Sequence, residues 1–305
     1  MEARGLGQRL RGRTILRGCT FALAPGVTAL LGPNGAGKSV LLRTLAGVLP
    51  PVGGGVWLDG RRAGPRRLHH AVVCVAQFPG VHPWLSVRGH LERAAAWSGA
   101  QRPRAMADAA VERLGLAREA GVPAGRVPVA ARRRLAIAEA WLRGCRVLLL
   151  DEPTADLNPE ERAAFWAEVA RLRGSRDGTS PRAPDALLLT THLLDEVEAY
   201  CHFALVLSAG RVLFAGGVDA LADRAAGACF RLPPAAEVPP GFSLVGATPG
   251  GGQEVLAGPE EGGPPADPGT AAPGALARAA LPAGAAPRGP TLLDGYLRLV
   301  EGGAG

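Results

Sequence analysis

Gly32-Pro33-Asn34-Gly35-Ala36-Gly37-Lys38-Ser39 sits between two readable segments. Before it comes Val27-Thr28-Ala29-Leu30-Leu31, an apolar run of the kind found in buried parallel strands. After it Leu41, Leu42, Leu45 and Val48/Leu49 recur at helical spacing, and Gly47 with Pro50-Pro51 closes the helix. Strand, glycine-rich loop and helix in that order are the context that a G-x-x-x-x-G-K-S motif needs. Small residues let successive backbone N–H groups point into one concavity, and the helix N-terminus adds partial positive charge. The stretch Gly32–Ser39, with Val40 completing it, is therefore expected to bind nucleotide phosphates. Lys38 is expected on the β and γ phosphates and the Ser39 hydroxyl on Mg²⁺. Lys38 is also the only lysine in the chain. A compact ammonium fits between phosphate oxygens where a planar guanidinium does not.

Two further runs end in chemistry. Val147 to Leu150 runs into Asp151-Glu152, and Leu187-Leu188-Leu189-Thr190-Thr191 runs into His192. In a parallel sheet the ligand lies beyond the carboxyl ends of the strands, so these side chains are expected beside the phosphate loop. Asp151 is placed to hold Mg²⁺, Glu152 to polarise the attacking water as general base, and His192 to sense or stabilise charge near the γ-phosphate.

Bulk properties narrow the class. At 305 residues the chain holds one large domain with an appendage, or two small ones. Its apolar runs fall far short of the ~20 residues a spanning helix needs, and Met1–Gly5 has no apolar core for a secretion signal. Five scattered cysteines, never in a C-x-x-C pair, suit reduced and mostly buried thiols in a cytosolic protein. The net charge of +7 comes almost wholly from arginine, and the basic clusters are not interleaved with aromatics, so nucleic acid is not an expected partner.

Residues 1 to about 230 alternate strand and helix, the signal for an α/β domain. From 231 to 290 Gly, Pro and Ala dominate, and a mostly flexible linker is expected, with a short apolar patch at Phe242 to Val245. At 291–301 a helix is expected: Thr291 and Asp294 form a capping box, while Leu292, Leu293, Tyr296, Leu297 and Val300 share a face. Such a helix docks on something, most simply its own domain.

Taken together, the residues resemble the ATP-binding cassette (ABC) family across at least residues 1–220. The wording of the phosphate loop carries this, with Val73-Cys74-Val75-Ala76-Gln77 before His82-Pro83-Trp84-Leu85-Ser86-Val87 as a glutamine loop. Asp151-Glu152-Pro153-Thr154-Ala155-Asp156-Leu157-Asn158-Pro159 resembles the acidic strand end and the loop that crosses between subunits. Thr190 to Glu198 resembles the histidine switch, and Gly210 to Gly216 is also similar to the family. The tail Pro290 to Leu297 is similar to that of daunorubicin-resistance-type drug-exporter ATPases.

The resemblance implies an α/β fold: an ABC ATPase core with an antiparallel β subdomain and a helical subdomain at about 80–128, plus the Gly/Pro/Ala-rich C-terminal extension. It implies ATP with Mg²⁺, and Gln77 contacting the metal or the water. It implies a homo- or heterodimer with a second cassette, and a separate integral-membrane permease gripped around Pro83-Trp84-Leu85. The place would be cytoplasmic, peripheral on the inner face of the cell membrane, and the tail favours export.

Three departures stand out. The signature stretch, normally Leu-Ser-Gly-Gly, falls on Val127-Pro128-Val129-Ala130; the adenine-stacking aromatic appears as Leu10; and the crossing loop ends in Asn158 rather than aspartate. The chain's own phosphate loop is intact, while the surface offered to a partner's nucleotide is damaged. The expectation is a slow ATPase or a heterodimer whose partner supplies an intact signature. The alternative is a regulatory cassette that binds ATP with little hydrolysis.

Overall fold

Neighbouring leucines in the apolar runs face opposite ways. In the computed structural model, which describes residues 1–173, 183–225, 228–233, 236–239, 242–248, 252–257, 282 and 285–302, Leu148, Leu150, Leu187 and Leu189 enter one core and Val147, Leu149, Ala186 and Leu188 enter another. A sheet buried on both faces needs such continuous apolar strands.

That sheet has six strands. Numbered with the four strands of a separate layer, they are β3 (Gly26–Leu31), β6 (Val72–Val75), β7 (Val147–Leu150), β8 (Ala186–Thr190), β9 (Phe203–Ser208) and β10 (Arg211–Gly217). Their order is β10-β9-β3-β8-β7-β6, parallel throughout except for β10. The separate layer is antiparallel, in the order β2-β1-β4-β5, from β1 (Glu2–Leu10), β2 (Arg13–Ala22), β4 (Gly53–Leu58) and β5 (Arg61–Arg62). Helix α1 (Lys38–Leu45) lies between the layers, its Leu41, Leu42 and Leu45 in one cluster with Leu6, Leu16 and Val56. A short α2 (Pro65–Ala71) leads into β6.

The other face carries the helical part. Ser86 caps α3 (Val87–Trp97), accepting from Gly89 N at 3.1 Å, and α4 (Pro103–Arg113) starts on a proline whose fixed φ suits a first turn. α5 (Val129–Leu142) and α6 (Pro159–Arg173) complete the layer, sharing Leu91, Leu135, Trp141 and Phe165 with the sheet's core. Asn158 and Glu161 cap α6 reciprocally, at 3.0 and 2.9 Å. An aspartate at 158 would accept the same bond, so that departure leaves the helix start intact. α7 (Leu194–Tyr200) follows β8, and α8 (Val218–Ala222) follows β10.

Within 231–290, where a mostly flexible linker with a short apolar patch at Phe242 to Val245 is expected, the described residues include strands. β11 (Cys229–Leu232), β12 (Phe242–Ala247), β13 (Gln253–Ala257) and β14 (Ala286–Pro287) form an antiparallel sheet in the order β12-β13-β11-β14. Phe230, Leu232 and Val255 bury one side, and Cys229 and Leu256 the other. Gly- and Pro-rich average composition hid these short alternating runs. Residues 258–281 lie outside the described residues. α9 (Leu292–Gly302) then returns to the main domain. Leu292 joins Leu31, Val197, Val206, Phe214 and Leu221, and Gly295 lies so close that a Cβ there would stand 1.8 Å from Leu221 O.

Candidate nucleotide site

The strand order decides which motifs meet. β3, β8, β7 and β6 are successive parallel neighbours, with Leu30 opposite Thr190, Leu189 opposite Leu150, and Leu150 opposite Val75. Their carboxyl ends therefore deliver the Gly32–Ser39 loop, His192, Asp151-Glu152 and Gln77 to one edge of the sheet.

The loop is built by glycines that must be glycines. A Cβ on Gly32 would lie 2.1 Å from Leu207 O, and Gly37, at φ +103, packs against Ile15 and Leu16. Gly37 is the N-cap of α1 and supplies no side-chain cap, and the first turn has no acidic residue. The orphan amides of that turn are therefore unsatisfied by side chains and suited to an oxyanion. Lys38 Nζ donates to Gly32 O at 2.7 Å and Pro33 O at 3.2 Å, keeping one of its three donors for another acceptor. Burial lowers its pKa, while Glu152 and Asp151 pull it back up. The ammonium and the two acids thus share one electrostatic site.

A chain of hydrogen bonds fixes the acids. Thr190 Oγ1 donates to Asp151 Oδ1 at 2.8 Å and accepts from Glu152 N at 2.7 Å. Gln77 Nε2 donates to Glu152 Oε2 at 3.3 Å. Glu152 and Asp156 sit at φ +46 and +62, a conformation costing about 1–3 kcal/mol per non-glycine residue and typical of functional loops. Thr154 Oγ1, buried, donates to Glu196 Oε2 at 2.7 Å and ties the loop to α7. His192 follows β8 on a turn in which Thr191 Oγ1 accepts from Leu193 N at 3.0 Å. Its side chain is exposed and hydrogen-bonds to no described residue.

The donor set suits a hard divalent cation. Ser39 offers a hydroxyl, Gln77 an amide oxygen and Asp151 a carboxylate, and Mg²⁺ takes one or two carboxylates beside substrate phosphates. No group of three or more His, Cys, Asp or Glu able to hold a metal occurs among the described residues.

Val127-Pro128-Val129-Ala130, where the signature stretch is expected, lies at the start of α5. Val127 is buried, Pro128 is the N-cap without a side-chain bond, and Val129 is 43% exposed. Leu10 ends β1 at the hairpin to Arg13. Sequence reasoning passed over Thr190's bridging role, which rests on a register that only the folded sheet reveals. Arg133, whose guanidinium donates to Pro153 O and Ala155 O, belongs to none of the sequence motifs.

Aromatic side chains lie exposed beside the glutamine loop. Phe78, Trp84 and Trp97 are 69%, 78% and 76% exposed. Next to them a cleft of about 260 Å³ is lined by Val75, Pro79, Arg93, Trp97, Glu139 and Arg143. No helix among the described residues is long and apolar enough to cross a membrane.

Comparisons with known proteins agree with the geometry. The family described as ABC transporter matches residues 16–155. The chain is 34% identical over 224 residues to the Nod factor export ATP-binding protein I of Burkholderia thailandensis, covering 71% of this chain and 70% of that one. Among solved structures it is similar to an ATP-binding subunit of an ABC transporter (TM-score 0.61, 24% identity, 72% of this chain and 90% of that one). It is also similar to CbiO1 from Clostridium perfringens, part of the cbiONQ ABC transporter complex (TM-score 0.60, 25% identity, 71% and 87%).

Proposed function

The chain belongs to the ABC transporter family of ATP-binding proteins, ATPases coupled to transport, and on that premise we propose that it binds and hydrolyses Mg·ATP to drive a separate membrane permease in the export direction. One observation carries the ATPase reading: the Gln77–Glu152–Thr190–Asp151 hydrogen-bond chain stands at the strand ends that also deliver the Lys38 loop. The export direction is supported by the name of the similar Nod factor protein and by the resemblance of the tail.

The Gly32–Val40 loop holds the phosphates through its backbone amides, Pro33 excepted because it has no N–H, and Lys38 neutralises the β and γ oxygens. Ser39, Asp151 and Gln77 would hold Mg²⁺, whose charge would offset that of the phosphate oxygens. Glu152 accepts a proton from water as its oxygen attacks the γ-phosphorus, and the bond to the leaving ADP oxygen breaks. His192 stabilises the charge that develops on the γ-phosphoryl oxygens. The permease docks on the exposed Phe78, Trp84 and Trp97 beside the glutamine loop, so the chain works peripherally on the cytoplasmic face.

The start of α5 sets the rate. In a head-to-tail dimer it faces the partner's nucleotide, and Pro128 has no N–H to offer. A homodimer is slow at both sites, or a second cassette supplies the intact signature. The regulatory alternative, binding without hydrolysis, draws on the same Pro128 and exposed Val129.

Mg·ATP binding and turnover of the wild type and Glu152→Gln separate the two readings. The ATPase reading expects unchanged binding and turnover down by about 10²-fold or more, the scale of a general base. Equal turnover in both proteins would favour the regulatory switch.

A further inference from the structure

Arg133 is a buried cation on which two other chain segments, at Gln77 and at 153–156, converge, and none of the roles above uses it. It lies on α5, one turn after Val129, and is only 3% exposed. Its Nη1 donates to Pro153 O at 3.3 Å and, at shorter range, to Ala155 O. Its Nε makes a longer bond to Gln77 O at 3.5 Å. Nη2 stands 3.8 Å from the Asp156 carboxylate and has no hydrogen-bond partner among the described residues.

We propose that Arg133 is a positioning residue for hydrolysis, clamping the loop after Glu152 and the backbone of Gln77 to the helix that starts at Val129. The clamp acts where the backbone most needs support. Pro153 and Ala155 lie between Glu152 and Asp156, the two left-handed residues of the loop, and such conformations persist only where the surroundings over-determine them. Two carbonyls converging on one guanidinium over-determine this one. Glu152 itself is then aimed by Gln77 and Thr190 from a fixed base. Burial lowers the Arg133 pKa, and the charges of Asp156, Glu152 and Glu161 counter it, so the cation belongs electrostatically to the acidic strand end. Arg133 touches neither the phosphate loop nor Lys38, so it acts on turnover through Glu152 and Gln77 and leaves nucleotide affinity alone. Lysine, a point charge without a planar fork, cannot serve both carbonyls and Gln77.

The inference rests on the ATPase reading, and two independent readouts separate their fates. Arg133→Met and Arg133→Lys are compared with the full-length wild type for Mg·ATP affinity, turnover at saturating ATP, and amide exchange over residues 152–158. Affinity should stay within about threefold in both, while turnover falls by about 30-fold or more in Arg133→Met and by about fivefold in Arg133→Lys, within the roughly 10²-fold that misplacing a catalytic group costs. Exchange over the loop should accelerate by about tenfold in Arg133→Met, in step with lost local protection. Turnover within twofold of wild type, or affinity falling in parallel with turnover, overturns the proposal. If Arg133→Met does not fold, Arg133→Lys decides alone, and wild-type turnover with wild-type exchange overturns it. If the wild type does not turn over, the ATPase reading falls, and loop exchange still decides whether Arg133 clamps.

Discussion

Asp294 shows how much one side chain can fix. It is fully buried, and Arg288 meets it through two bonds, Nη1 at 2.6 Å and Nη2 at 2.7 Å. Thr291 donates to its Oδ2 from both N and Oγ1, each at 2.7 Å. The capping box read at 291–294 is thus part of a buried ion pair that joins α9 to the strand before it. Burial alone would raise the Asp294 pKa, but the bonds from Arg288 and Thr291 outweigh it and hold the carboxyl below its ordinary value. Such a group adds stability that is complete above the ordinary value, about 3.9, and is lost as pH falls through the lower folded value. Docking of α9 should therefore hold at pH 5 and loosen in acid, below pH of about 4. Asp294→Asn should loosen it at neutral pH, because it removes the buried carboxylate that Arg288 meets with two bonds, leaving Arg288 only the longer ion pair to Glu254 at 3.6 Å; breaking such a buried pair costs up to about 3–5 kcal/mol. Limited proteolysis between the sheet β11–β14 and α9, across pH, reads this out. Equal protection in Asp294→Asn and wild type at neutral pH would contradict it.

Among the elements, α5 carries the least expected sequence. Its first turn has no capping side chain, no acidic residue and a proline at the cap. The helix holds by its buried face, where Leu135, Ile137, Ala138, Trp141 and Leu142 join the core, so substitutions at its N-terminus need not cost the fold. The triple change Pro128→Ser, Val129→Gly, Ala130→Gly restores a hydroxyl and bare backbone there. It should raise turnover of the chain acting alone by about tenfold or more, since one preorganised anion-stabilising donor contributes ~10²–10³. Each new glycine in the helix costs up to ~1 kcal/mol, so melting temperature should fall slightly while turnover rises. Unchanged turnover in a folded triple variant would contradict the account of the damaged surface.

In the molecule as a whole, what the sequence disclosed follows from how parallel sheets are built. The phosphate loop, Asp151-Glu152 and His192 were legible because each sits directly after an apolar run, and the sheet aligns those ends without further information. Arg133 was not legible, since its partners at Gln77, Pro153 and Ala155 are remote in sequence and all three are backbone carbonyls that no residue type advertises. The sheet β11–β14 was missed because its four strands are short and separated by Gly- and Pro-rich stretches, so no window shows a period. The central claim concerns the loop that everything else surrounds: Lys38 and the uncapped first turn of α1 bind the phosphates of Mg·ATP. Isothermal titration of the full-length chain and of Lys38→Ala with Mg·ATP measures this directly. Saturable binding by the wild type, weakened by about 10²-fold or more when an ammonium paired with phosphate is removed, is the predicted result. No binding by the wild type, or equal binding by Lys38→Ala, would contradict the account.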